Sequence, residues 1–361
     1  MWPYWLLFLV PALSALSEPA HRRAAGYGAP AMRIPGAWWA AMLVLTLFVG
    51  WRHQVGGDWG NYLRNYYQAM YASATPDWWW NDPGYRMLEW VALQADWGVH
   101  GVNIMAAALF SLGLVLFCRH LPRPWLGLAV AVPYLVIILG MGYSRQGVAL
   151  GCIMAGLVAL GNGRVRRFVL WAVVGATFHK SAVVLLPLAA LAASRDRLTT
   201  AIWVAMVTTA AYFTLLEDSV ETLNAGYLEA EYQSEGALVR LLMNALPAAI
   251  LLLKRERFAL NLPQHRLWLW FALIALGLLG LYVASPSSTA VDRMGLYLLP
   301  LQLMVFAHLP EVLGRHGGDN QGWVLAVLAY YASVEFVWLN YATHAFAWLP
   351  YRWYPLEWLF G

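Results

Sequence analysis

The chain has 361 residues, of which 61% are hydrophobic and only 12% are charged, and its mean hydropathy is +0.54. Soluble domains average about 45–50% apolar and about 25% charged residues, so this composition excludes a water-soluble enzyme. The formal net charge of +4 at pH 7 becomes informative only when each charge is assigned to one side of a membrane.

Apolar segments recur from Trp2 to Asn340, and a helix needs about 20 apolar residues to cross a bilayer. We therefore predict an all-α, polytopic helical bundle of about 11–12 segments that forms a single transmembrane domain over residues 1–361. In chain order the segments are 2–17, 37–51, 99–118, 125–143, 146–161, 168–179, 181–193, 198–216, 238–253, 267–284, 294–309 and 321–340. The first has no basic residue before it, which favours a retained helix over a cleaved signal peptide.

Segments 168–179 and 181–193 are predicted to be a broken pair of helices. One continuous helix would place His179 and Lys180 in its middle and would move the basic loop at 195–197 to the outer side. Broken helices at membrane depth usually line a cavity, so this joint is a candidate for one wall of a site.

Basic residues gather on one side of the membrane when the N-terminus is placed outside and the segments alternate. The cytoplasmic loops then hold 15 of the 23 Lys and Arg residues but only five of the 19 acids. This bias follows the positive-inside rule and predicts the orientation of the chain. The two larger segments, 52–98 and 217–240, are periplasmic in this topology. Because the inner loops are short, we expect any active site to face outward.

Several ionisable residues lie near the outer ends of apolar segments, where a charge is costly and therefore indicates a function. They are Arg52, Arg145, the neighbours His179 and Lys180, and Arg293. Short outer connections predict that several of them converge. Converging cations without matching buried acids would repel each other. A ligand with about two negative charges would relieve this repulsion, and a diphosphate suits Arg and Lys side chains.

Structural interpretations of the same residues stay open from the sequence. Arg145 could snorkel to the lipid headgroups, and His179 could be a hydrogen-bonded residue at a helix end. Asp292 and Arg293 could form a local ion pair at the start of a helix.

The outer segment 52–98 combines glycine, proline, acidic and aromatic residues. Two stretches in it, 56–62 and 82–89, are predicted to form a tight loop with exposed carboxylates. Sugars present hydroxyl groups to carboxylates and apolar ring faces to aromatic side chains, which makes Trp59 and Trp78–Trp80 candidates for sugar contact. The interfacial aromatic belt nevertheless explains most of the 21 tryptophans.

Five short motifs occur in order between about residue 37 and residue 310. They are Gly57-Asp58-Trp59 with Tyr62, Asp82-Pro83-Gly84-Tyr85 with Glu89, Arg145-Gln146, Phe178-His179-Lys180-Ser181, and Asp292-Arg293 with Tyr297. In this order and spacing they resemble the EpsG-like branch of the Wzy-type exopolysaccharide and O-antigen polymerases.

The resemblance implies a multi-spanning, GT-C-type glycosyltransferase in the bacterial inner membrane, with its active site facing the periplasm. Such a polymerase transfers a growing glycan from undecaprenyl diphosphate to an incoming lipid-linked repeat unit. No metal or other cofactor is expected, because diphosphate is already a good leaving group. The expected partners are the undecaprenyl-diphosphate-linked oligosaccharide, the lipid bilayer, a chain-length regulator and a flippase, and no nucleic acid.

The resemblance and the residue chemistry together assign roles to individual residues. The predicted catalytic residues are Asp58, Arg145, His179 and Arg293, with Asp58 and His179 as the candidates for a general base. Diphosphate binding is assigned to the cations Arg52, Arg145, Lys180 and Arg293, which would stabilise the leaving group. The predicted sugar-binding residues are Trp59, Tyr62, Asp82, Tyr85, Arg86, Glu89 and Tyr297.

Three other functions stay open from the sequence. An O-antigen ligase shares the donor and the cationic site but uses a different acceptor. A membrane acyltransferase would need a histidine and a second polar residue placed for acyl transfer, and only His179 fits. A flippase for lipid-linked oligosaccharides should carry cations through both leaflets, whereas here they gather near the outer side.

Overall fold

The computed structural model describes residues 1–18, 35–72, 81–192, 197–215, 236–284, 288–315 and 318–360, and the regular secondary structure in these ranges is helical. Six of the described helical stretches are long and apolar enough to span a membrane: Gly98–Cys118, Ser144–Gly161, Ala237–Arg257, Leu262–Ala284, Ser288–Leu313 and Gln321–Tyr341. The predicted all-α, polytopic architecture is therefore confirmed.

The α-helices follow the predicted segments closely, with four additional helices: two between the second and third segments, one before the segment 294–309 and one at the C-terminal end. They are α1 (Trp2–Ser17), α2 (Gly36–Gly50), α3 (Trp59–Ala72), α4 (Pro83–Gln94), α5 (Gly98–Cys118), α6 (Pro124–Ala131), α7 (Ser144–Gly161), α8 (Val165–Phe178), α9 (Leu188–Ala192), α10 (Arg197–Leu215), α11 (Ala237–Lys254), α12 (Leu262–Ala284), α13 (Ser288–Gly295), α14 (Leu299–Leu313), α15 (Gln321–Tyr341) and α16 (Tyr354–Phe360).

The predicted break after residue 178 is confirmed. Helix α8 ends at Phe178, His179 has extended backbone angles, and a 3-10 helix over Lys180–Leu185 follows before α9 begins. The predicted helix 125–143 is interrupted as well, because α6 gives way to a π-helix over Val132–Gly140. This change begins beside Pro133, which lacks the backbone N–H that an α-helix would use there.

The outer segment between α2 and α5 is helical where we predicted a tight loop. Helix α3 buries Tyr62, Tyr66 and Ala69, whose spacing places them on one helical face. Helix α4 begins at Pro83, a residue type that favours the first turn of a helix. An amphipathic pattern in this segment therefore outweighs its glycine and proline content.

The centre of the bundle is α7, which packs extensively against both α5 and α8. The small-xxx-small spacing of Gly147 and Gly151 predicts close helix packing here. A Cβ atom added to Gly113 of α5 would lie 2.0 Å from the carbonyl oxygen of Gly151. The backbones of α5 and α7 are therefore in contact at a point where a side chain does not fit.

Leucine at Gly113 is expected to destabilise the folded protein by about 3 kcal/mol or more, the upper range for overpacked interiors. The matched control is Gly277→Leu in α12, because a Cβ atom there meets nothing within 4 Å. Thermal unfolding of the detergent-purified variants checks the prediction. Equal melting temperatures for the two variants would contradict the close approach of α5 and α7.

Candidate active site

A cavity of about 330 Å³ lies where the N-terminal ends of α3 and α7 meet the joint after α8 and the last turn of α13. Its lining residues are Asp58, Asn61, Tyr62, Asn65, Tyr143, Arg145, Gln146, His179 and Arg293. Each of these residues has a polar side chain, so the cavity suits a polar ligand. It brings together all four predicted catalytic residues, whose roles stay predictions.

One wall of the cavity is formed by the first two turns of α3. Asp58 precedes the helix, and Tyr62 and Asn65 follow at spacings of four and three residues, which places them on one face. Asn61 lies beside them, and its side-chain amide donates to Asp58 Oδ1 over 3.3 Å. This wall therefore carries one carboxylate and two amides.

The loop before α3 is held in place by close backbone contacts. Gly56 has a φ of +106°, and a Cβ atom there would lie 2.4 Å from the carbonyl oxygen of Met141. Its N–H donates to the carbonyl oxygen of Ala347 over 2.8 Å. The indole N–H of Trp348 donates to the carbonyl oxygen of Ile137 over 2.8 Å. The C-terminal segment around Trp348 had no predicted role, and these contacts show that it holds the loop that carries Asp58 in place.

Arg145, in the first turn of α7, is held by a buried acid and two aromatic rings. Its Nη1 lies 3.1 Å from Asp82 Oδ2, and its guanidinium carbon lies 5.9 Å and 5.1 Å from the ring centroids of Tyr62 and Tyr85. The expectation that no buried acid matches the cations is therefore wrong for Arg145. The expectation that Asp82 is exposed is also wrong, because this ion pair lets it be buried.

Arg293 differs from Arg145 in its surroundings. Its sequence neighbour Asp292 instead pairs with Arg240 of α11, through N–O distances of 2.5 and 2.7 Å. The alternative of a local Asp292–Arg293 ion pair at a helix start is thus wrong, and both residues lie in the last turn of α13. The guanidinium carbon of Arg293 lies 4.9 Å from the ring centroid of Tyr143, and in the described part of the chain no carboxylate forms an ion pair with it.

His179 occupies the joint between α8 and the 3-10 helix. Its Nδ1 lies 2.7 Å from the hydroxyl of Ser181, and that hydroxyl lies 2.9 Å from the hydroxyl of Tyr297. Tyr297 is buried and does not line the cavity, so its sugar contact stays a prediction, and its hydroxyl instead supports His179 through Ser181. With Nδ1 engaged, Nε2 is the ring nitrogen available to a ligand.

Several other predicted site residues lie outside the cavity lining. Arg52 is 1% exposed, and its guanidinium donates to the carbonyl oxygens of Val49 and Val55 and to the side chains of Asn103 and Ser144. These bonds engage the guanidinium within the protein, and Arg52 does not line the cavity, so its assignment to diphosphate binding stays a prediction that the geometry does not support. Residues assigned to sugar or diphosphate that the cavity lining does not include are Trp59, Asp82, Tyr85, Arg86, Glu89 and Lys180.

Arg86 and Glu89 form a buried ion pair within α4, with an N–O distance of 2.7 Å. The predicted exposure of the Glu89 carboxylate is thus wrong, because Arg86 compensates for its burial. Trp78–Trp80 and most of the acidic segment 217–240 lie outside the described residues, so the sugar contacts predicted for those tryptophans stay predictions.

Four lining residues have no predicted role: Asn61, Asn65, Tyr143 and Gln146. Asn61 and Asn65 could have been identified from the spacing of polar residues along α3. That spacing is informative only if the segment is first predicted to be a helix. Tyr143 and Gln146 lie close to Arg145 in the sequence. They line the cavity because the N-terminal end of α7 lies there.

The Asp58 carboxyl lies in the loop before α3, outside the membrane-spanning helices. Partial burial raises its pKa above the usual value for aspartate, while the positive charges of Arg293 and Arg145 and the hydrogen bond from Asn61 oppose this shift. A carboxylate with a raised pKa is a better proton acceptor than an exposed one.

Comparison with known proteins identifies one family. The family model described as the EpsG family matches residues 37–353 of the chain. No curated protein and no solved structure shows a significant match.

Proposed function

The chain belongs to the EpsG family, and from this premise and the residues of the cavity we propose that it is a polysaccharide polymerase of the bacterial inner membrane. It transfers a glycan chain from undecaprenyl diphosphate onto the sugar of a lipid-linked repeat unit. The observation that carries the proposal is that two arginines and a carboxylate line one cavity.

The cationic side of the cavity suits a diphosphate. Arg145 and Arg293 supply two guanidinium groups, which can each bind phosphate oxygens through paired N–H groups. Helix α7 begins at the same place without a side-chain cap, so the positive end of its dipole favours an anion there, although the backbone N–H of Arg145 already donates to the hydroxyl of Tyr62 over 3.4 Å. Because Asp82 already compensates one charge, Arg293 is the principal unpaired cation of this wall.

The proposed reaction is a displacement at the anomeric carbon of the donor sugar. The acceptor hydroxyl oxygen forms a bond to that carbon while the bond from the carbon to the diphosphate oxygen breaks. The electron pair of the broken bond leaves with undecaprenyl diphosphate, and the hydroxyl proton passes to Asp58. Fixed cations lower the barrier because negative charge grows on the leaving group. His179 contributes Nε2 to binding of the diphosphate or of the acceptor.

The orientation in this proposal follows from the charges of the loops. In the predicted topology one side of the membrane carries Arg164, Arg166, Arg167 and the basic cluster at 254–257, which lie at or next to helix ends, and the other side carries the segment with Asp58. From the positive-inside rule we propose that the cavity faces the periplasm.

Asp58→Asn is expected to lower the polymerisation rate by about 10²–10⁴-fold, the usual contribution of a general base. The base must be deprotonated to act, so the wild-type rate should fall as the pH drops through the raised pKa of Asp58. This acid limb should lie above the ordinary aspartate value of about 3.9. Rates measured from pH 4 to pH 8 check both expectations, with the exposed Asp96→Asn as the matched control. An unchanged acid limb in Asp58→Asn would exclude Asp58 as the base.

The proposed function is tested by incubating the purified protein with a lipid-linked repeat unit as the sole substrate. A polymerase yields a ladder of products that differ by one repeat. A ligase or an acyltransferase yields nothing without a second substrate, and a flippase forms no new bond. Absence of a ladder from folded protein would overturn the proposal.

A further inference from the structure

The cavity has two chemically different walls. One wall carries positive charge or proton donors, from Arg145, His179 and Arg293. The other wall carries Asp58, just before α3, and the amides Asn61 and Asn65 in the first turns of α3. No described residue of α3 that lines the cavity is a cation. The only arginine in α3, Arg64, is exposed and is not part of the lining.

Amide side chains suit uncharged sugars in particular. Each amide presents two N–H donors and a carbonyl acceptor, and a sugar hydroxyl or acetamido group likewise donates and accepts. A carboxylate on the sugar would instead meet the carboxylate of Asp58, and like charges in a partly buried site repel. The α3 wall therefore favours a neutral ring over an acidic one.

Gln146, which follows Arg145 in α7, adds a third amide to the lining of the cavity. The residue is 1% exposed and lines the cavity, and its Nε2 donates to the carbonyl oxygen of Arg293 over 3.2 Å. Its Oε1 is buried and has no hydrogen-bond partner among the described residues. Buried polar atoms are nearly always paired, so this exception calls for a donor, which a ligand in the cavity can supply.

We infer that Asn61, Asn65 and Gln146 form the acceptor subsite and that it selects a neutral sugar, a hexose or an N-acetylated hexosamine, over a uronic acid. This inference rests on the proposed polymerase function, which places the donor diphosphate on the arginine wall. The acceptor hydroxyl then lies within reach of these amides and of the Asp58 carboxylate.

Binding of small glycosides to the nanodisc-embedded protein tests the inference. Undecaprenyl diphosphate is first added to saturation, so that the arginine wall is occupied and cannot attract an acidic sugar. Saturation-transfer NMR then compares the methyl glycosides of glucose, N-acetylglucosamine and glucuronic acid. We expect both neutral glycosides to bind and the glucuronide to bind at least about tenfold more weakly.

Variants of the amide residues test whether the glycosides bind at the proposed acceptor subsite. Asn65→Leu and Gln146→Met should each weaken binding of the neutral glycosides by about 2- to 12-fold, the factor expected for one hydrogen bond. The affinity of Asn65→Leu for undecaprenyl diphosphate should stay within about twofold of wild type, which also shows that this variant is folded. Gln68→Leu is the matched control, because this exposed amide of α3 does not line the cavity.

Three results would overturn the inference: no glycoside bound to the wild type, a glucuronide bound as tightly as the neutral glycosides, or amide variants with unchanged binding. Failure of the polymerase function itself gives a different result. In that case the wild type neither binds undecaprenyl diphosphate nor forms a ladder from a lipid-linked repeat unit.

Discussion

Alanine at Arg293 is expected to slow polymer formation by about 10²–10³-fold, the usual loss when one preorganised donor to a developing anion is removed. The charge of Arg293 is compensated by no carboxylate ion pair in the described part of the chain, so the diphosphate is its expected partner. Truncation removes a group that is held by contact with one aromatic ring, and the fold should stay intact. The rate of ladder formation by purified protein is the measurement.

Two further variants make this expectation specific. Arg64→Ala removes an exposed arginine of α3 and should leave the rate unchanged. Arg145→Ala should slow the reaction comparably but should also destabilise the protein, because it leaves Asp82 buried without its partner. If Arg293→Ala kept the wild-type rate, the leaving group would not depend on this cation.

Asp292→Ala is expected to reduce the free energy of unfolding by about 3–5 kcal/mol, the usual loss when one partner of a buried ion pair is removed. The reason is that Arg240 would keep its charge in a position where only 23% of its side chain is exposed. Thermal unfolding in detergent measures the loss. Asp292 and Arg293 are neighbours in the sequence. We expect Asp292→Ala to lower stability and Arg293→Ala to lower the rate, so the two variants distinguish a structural role from a binding role.

The double variant Arg240→Leu/Asp292→Leu is the control for that loss. Replacing both partners by apolar residues removes the charge of Arg240 together with that of Asp292, and buried pairs replaced in this way often keep their stability. We expect its melting temperature to exceed that of Asp292→Ala. A double variant as unstable as the single one would show that the pair itself is not the cause.

Features that depend on local pattern could be predicted from the sequence. Hydropathy located most of the helices, and the charge of His179 and Lys180 in an apolar run located the break after Phe178. The convergence of Arg145, His179 and Arg293 followed from short outer connections between their helices. Each of these inferences requires only the identity of neighbouring residues and the physical properties of a bilayer.

Features that depend on the choice of a distant partner could not be predicted. Asp82 pairs with Arg145, which is 63 positions away, and Asp292 pairs with Arg240, which is 52 positions away. A carboxylate that looks exposed in the sequence can be buried once such a partner is found. Arg52 is the converse case, since its guanidinium has four acceptors inside the protein and does not line the cavity.

The central claim is that the cavity between α3, α7 and α13 holds the diphosphate of the lipid carrier. A cryo-electron microscopy structure of the protein with bound undecaprenyl diphosphate tests it most directly. The account predicts density for both phosphates between the guanidinium groups of Arg145 and Arg293, within hydrogen-bonding distance of the first turn of α7. Phosphate density elsewhere, with these two arginines unoccupied, would contradict it.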